Sequence, residues 1–151
     1  MVAIKPADAD TFVARPNPAQ PIVLIYGGDA GLVRERAEKI ARSAVKDPDD
    51  PFAMVHLEGD ALASDPSRLV EEAHTIPLFG GKRAVWVKPT SRNISSAVEA
   101  LIAAPPVDCR VVIEAGDLRL ATGERLLEHD ARRVHRNRRH LRADVAGQVG
   151  G

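Results

Sequence analysis

The run Ile22-Val23-Leu24-Ile25-Tyr26, stopped by Gly27-Gly28, constrains this chain more than any other stretch. An uninterrupted apolar segment between turn formers fits a strand buried on both faces, as inside a parallel sheet. The next segment is helical. From Leu32 to Lys46 the apolar residues fall at 33, 37, 40, 41, 44 and 45, one stripe of an amphipathic helix. Its outer face sets Glu35 against Lys39 and Glu38 against Arg42 in the favourable i,i+4 order. Asp29 stands where a cap is needed, and Pro48 comes just after the helix end.

The pattern then repeats. After a turn over 47–51, Phe52–Leu57 reads as a second strand, and Asp65-Pro66 as an N-cap with proline at N1 of a second helix. In that helix Leu69, Val70 and Ala73 face inward, and the adjacent Glu71 and Glu72 read as a solvated face. Residues 83–88 form a third strand, and 91–104 a third helix ended by Pro105-Pro106. Residues 110–114 form a fourth strand, with Ala115-Gly116 closing it. Strands alternating with helices predict an α/β domain with right-handed crossovers and a central parallel sheet. No internal sequence repeat accompanies the alternation. Residues 1–21 read as an arm with one short helix around 8–14.

Composition narrows the class. The chain has 151 residues, 44% apolar and 28% charged, with only five aromatics, so its core is aliphatic. Basic and acidic residues balance at 21 each, which gives no global argument for nucleic acid or an anionic membrane. The single Cys109 excludes an internal disulfide and reads as a buried thiol in a reducing compartment. No apolar run reaches the roughly 18 residues of a membrane helix, and the N-terminus lacks a secretory core. The expectation is a soluble cytoplasmic protein that contacts no membrane.

The zero net charge hides an asymmetry. Residues 1–118 hold thirteen basic and seventeen acidic groups, whereas 119–151 hold eight Arg and four acids. All eleven prolines and all five lysines precede this tail. It reads either as a basic nucleic-acid-binding extension or as an aberrant end. It has no aromatics for base stacking.

A strand, a glycine-bearing turn and a helix together make a phosphate site when the right groups are present. A Walker A loop needs GxxxxGK[ST]. Here Gly27, Gly28, Asp29 and Gly31 form the loop, and in either register the Lys and hydroxyl positions fall on Leu32, Val33 or Arg34. Asp29 adds a carboxylate where the anion would sit. A GxGxxG fingerprint fails on spacing. Val111–Glu114 resembles a Walker B strand without its tandem acids, and Glu114 and Asp117 read as turn or cap carboxylates. The strand, loop and helix offer the place for a nucleotide but not the groups, so an active P-loop enzyme is not expected and no cofactor is assigned. The five histidines lack metal-ligand spacing, so no metal and no catalytic residues are assigned.

One connector stands out. In Thr75-Ile76-Pro77-Leu78-Phe79-Gly80-Gly81-Lys82-Arg83, Pro77 forbids helix and Gly80-Gly81 reverse the chain. Leu78 and Phe79 either tuck under the sheet edge or project as anchors for a partner. Pattern alone favours the first.

Several strings in order resemble the N-terminal, AAA+-like domain of the bacterial DNA polymerase III delta subunit. They are Ile22–Gly27, Leu32–Ala37, Asp50–Phe52, Leu78–Arg83, Val85–Val87 and Val112–Leu118. The resemblance implies a three-layer, P-loop NTPase/AAA+-like α/β fold over 22–118, with a mostly parallel sheet and without a functional Walker A. It also implies a clamp-loader role without ATP hydrolysis, in which the subunit binds and opens the beta sliding clamp. Leu78 and Phe79 would enter a hydrophobic pocket of the clamp, with Ile76 in support. Other loader subunits would be partners, and DNA would be reached only indirectly. The family serves a DNA-directed DNA polymerase, a nucleotidyltransferase, but the resemblance implies no catalysis by this chain. It stops at Leu118-Arg119, before the further domains of full-length members. A frame change or truncation in the gene would produce such a shift. A degenerate P-loop nucleotide-binding enzyme and a vestigial fragment are the rival expectations.

Overall fold

The computed structural model describes residues 8–88 and 90–115. The 119–151 tail, Gly116, Asp117 and Leu118, and the first seven residues of the arm lie outside them. The elements are α1 (Ala9–Ala14), β1 (Ile22–Tyr26), α2 (Ala30–Ser43), β2 (Met54–Glu58), α3 (Gly59–Ser64), α4 (Ser67–His74), β3 (Arg83–Lys88), α5 (Ser95–Ala103) and β4 (Cys109–Ala115). The four strands make one sheet in the order β1-β4-β3-β2, and all three pairings are parallel.

Period-two alternation sends β3 and β4 into two cores. Val85, Val87, Val111 and Ile113 meet Leu62, Leu69, Val98 and Leu101 from α3, α4 and α5. Ala84, Trp86 and Val112 meet Ala37, Ile40 and Ala41 of α2 on the opposite face, with Phe12 and Val13 of α1 packed at the margin. The result is a three-layer α/β/α sandwich with a parallel sheet, the architecture of P-loop NTPase and AAA+-like domains. Among the described residues no helix is long and apolar enough to cross a membrane.

The stripe on α2 is buried as its spacing predicts, at Val33, Ala37, Ile40 and Ala41. The Asp29 carboxylate caps the helix by accepting the Leu32 N–H at 3.0 Å. Both outer ion pairs form, Lys39 to Glu35 at 2.7 Å and Arg42 to Glu38 at 3.9 Å. Side chains this exposed contribute little to stability.

Other expectations need correction. Helix α2 ends at Ser43, not Lys46, and opens at Ala30. Strand β2 starts at Met54, not Phe52. The Asp50 carboxylate accepts the Phe52 N–H at 2.8 Å, and its carbonyl takes the N–H groups of Ala53 and Met54, so Phe52 lies in a tight turn. Helix α3 carries no signature in the sequence. It opens on Gly59, where a Cβ would come within 2.7 Å of Thr90 Oγ1. Helix α5 begins at Ser95 rather than Ser91, because Asn93 Oδ1 captures the Ser95 N–H in a local turn. Glu114 is not a turn residue. It is buried within β4 and accepts the indole N–H of Trp86 on β3. Burial pushes its carboxyl pKa up, against the opposing pull of the Trp86 hydrogen bond, Arg34 and Lys88.

Cys109 opens β4 and is buried, as expected. Burial pushes its thiol up to about 11, the nearby Arg83 charge notwithstanding. Only the thiolate reacts, so at pH 8 the native chain should react with a disulfide reagent on the order of 100-fold more slowly than the unfolded chain. Equal labelling rates in the presence and absence of denaturant would contradict this placement.

Candidate protein-docking site

Helix α4 delivers the connector. Pro66 already has helical angles (φ −62°, ψ −25°), and the Asp65 carbonyl accepts the Arg68 N–H at 3.3 Å. Leu69 and Ala73 bury the inner face. The helix stops where Thr75 turns extended (φ −65°, ψ 126°), its hydroxyl donating back to the Glu71 carbonyl at 2.8 Å. Ile76 cannot restart it, because a residue before proline is pushed out of the helical region.

The chain then reverses over Pro77–Gly80, closed by the Gly80 N–H on the Pro77 carbonyl at 3.2 Å. Gly80 and Gly81 have φ of +71° and +92°, a conformation that suits glycine. Leu78 and Phe79 occupy the two central positions of this turn. Leu78 is 87% exposed, Phe79 94% and Ile76 85%. None of the three tucks under the sheet edge.

The loop is pinned from beneath by Arg83, the first residue of β3, which is 5% exposed. Its Nη1 donates to the carbonyls of Glu72 at 2.6 Å and Thr75 at 3.4 Å, its Nε to the Phe52 carbonyl at 2.9 Å. Its Nη2 pairs with Glu72 Oε2 at 3.2 Å. Glu72 is thus half-buried and paired, which corrects its reading as part of a solvated face. A buried guanidinium is tolerable because its fixed fork of donors is met by acceptors on several sides. Sequence reasoning missed this role; the one available signal was a cation directly before the apolar run Ala84-Val85-Trp86-Val87.

At the opposite end of the sheet lies the Gly27–Gly31 loop. The Asp29 carboxylate occupies the mouth of α2, so close to Gly31 that a Cβ there would lie 3.3 Å from its oxygen. Val33 is buried in the core and Arg34 is exposed. A cleft of about 240 Å³ opens beside the loop, bounded by Phe12, Tyr26, Leu32 and Arg36. Arg36 also pairs with Asp10 of α1 at 2.8 Å. Among the described residues no group of three or more His, Cys, Asp or Glu side chains is arranged to hold a metal.

Replacing Arg83 by Met strands the carbonyls of Phe52, Glu72 and Thr75 and unpairs Glu72. Removing one member of a buried pair costs about 3–5 kcal/mol, and partial hydration of Glu72 reduces that to about 2–4 kcal/mol. Urea unfolding measures the loss, and Arg83→Lys should recover less than half of it, since one ammonium cannot reach the same set of acceptors. Wild-type stability of Arg83→Met would show that the pin carries no load.

Comparison with known proteins bears on the fold and the family. The crystal structure of a DNA polymerase III gamma subunit-related protein from Thermotoga maritima is similar with a TM-score of 0.50 at 15% identity. The match covers 72% of this chain and 39% of that one, and at this identity it speaks for the fold alone. No curated protein matches the chain. The family model for the DNA polymerase III delta subunit matches residues 23–132, running from β1 through β4 and past Leu118. The chain belongs to the DNA polymerase III delta subunit family.

Proposed function

We propose that this chain is a non-catalytic clamp-docking domain. It grips the beta sliding clamp through Leu78 and Phe79 and favours an opened ring during DNA replication in the cytoplasm. The observation that carries the reading is a pair of large apolar side chains held almost wholly in solvent on a loop whose shape is over-determined. Full burial of each contributes about 1.5–3 kcal/mol. Two such anchors can shift a strained clamp toward an open state only by binding that state more tightly than the closed one. No covalent step and no ATP hydrolysis by this chain enter the scheme. Ile76, next to the turn and equally exposed, adds contact area. Other loader subunits are partners of the same assembly, and DNA is met through the clamp.

The test is binding of the full chain to purified beta clamp, by surface plasmon resonance. Leu78→Ala with Phe79→Ala should weaken binding by at least about 100-fold, the equivalent of roughly 3 kcal/mol. These side chains touch little of their own domain, so the thermal melt should not move. ATP titrated to millimolar concentration should neither saturate a site nor alter clamp affinity. Undiminished binding by the double variant would refute the assigned role, and saturable ATP binding would favour a nucleotide-binding protein instead.

A further inference from the structure

The apolar surface at the N-terminal ends of the strands extends beyond the α4–β3 connector. Phe52, two residues before β2, is 69% exposed, and Val107, two residues before β4, is 89% exposed. Strand β3 lies between β2 and β4, so the three loops that enter these strands emerge side by side. Arg83 ties all three together. Its side chain holds the Phe52 carbonyl at 2.9 Å and the Thr75 carbonyl at 3.4 Å, and its backbone N–H donates to the Asp108 carbonyl at 3.0 Å.

Each loop is also stiffened within itself. The Asp50 carboxylate fixes the Phe52 turn, Pro105-Pro106 restrict the approach to Val107, and Pro77 with Gly80-Gly81 shapes the third loop. Preformed apolar side chains lose little conformational entropy on docking. A rim of exposed Lys82 and Asp108 borders them.

Area argues in the same direction. A specific, stable interface takes about 800 Å² from each partner, and one large aromatic supplies about 150–250 Å². Leu78 and Phe79 alone fall well short, so the surface around them has to be engaged as well. We propose that Phe52 and Val107 belong to the same docking face and contact the same clamp, which is then held by three loops rather than one. This rests on the reading of Leu78 and Phe79 given above.

Affinities of the full chain for purified beta clamp decide the matter. Phe52→Ala should weaken binding about tenfold and Val107→Asp by a similar factor, with melting curves that overlay the wild type. Should Phe52→Ala lower the melting temperature, Val107→Asp decides alone, because its side chain stands free of the core. Wild-type affinity for both variants, alongside loss of binding by Leu78→Ala/Phe79→Ala, would overturn the three-loop face and leave the one-loop anchor intact. Unchanged binding by the Leu78/Phe79 variant would remove both readings. Self-association in sedimentation that Phe52→Ala abolishes, with clamp affinity unaffected, would assign the face to a second copy of the chain and overturn the proposal.

Discussion

A single buried guanidinium organises the end of the molecule that carries the exposed Leu78 and Phe79. Arg83 begins the central strand β3, and its fork spans the carbonyls of Phe52, Glu72 and Thr75 and the carboxylate of Glu72. Without it, the C-terminus of α4 and the turn before β2 would each leave carbonyl groups to find other donors. With it, the Pro77–Gly80 turn has a fixed base, and Leu78 and Phe79 project from a platform rather than a floppy loop. Apolar side chains left in water cost a domain solubility and give it nothing in stability, so the rigidity of their mounting is the physical reason to read them as anchors.

The two ends of the sheet differ in their chemistry. At the C-terminal ends of the strands, where nucleotide would sit in this architecture, Asp29 satisfies the first turn of α2 with a carboxylate of its own. Glu114, in the neighbouring strand, is turned inward to Trp86 rather than toward solvent. At the N-terminal ends the polar groups are drawn inward by Arg83 and the apolar ones are left outside. Burying the Arg83 charge while Phe52, Ile76, Leu78, Phe79 and Val107 stay exposed is the reverse of ordinary packing.

Much of the architecture was legible because it rests on periodicity. The bounds of β1 and β3 and the buried stripe of α2 come directly from apolar spacing. The failures have local causes. Asp50 and Asn93 capture backbone N–H groups and move the starts of β2 and α5 by side-chain hydrogen bonds that spacing does not reveal. Helix α3, with six residues opening on glycine, is too short to show a period. Glu72 and Glu114 looked like surface carboxylates because their partners, Arg83 and Trp86, lie eleven and twenty-eight positions away. In the α4–β3 connector, Pro77 and the two glycines marked a loop of defined shape. The outward direction of Leu78 and Phe79 was not legible, since a tucked loop and a projecting one share the same pattern and differ only in tertiary contacts.

On the proposed reading the exposed turn after α4, and not the glycine loop after β1, meets the partner. Amide hydrogen exchange of the full chain, free and with saturating beta clamp, tests this without any substitution. Slowed exchange at residues 78–82 in the complex, with unchanged exchange at 27–31, is the expected result. Slowing confined to 27–31, with 78–82 exchanging as in the free chain, would contradict it.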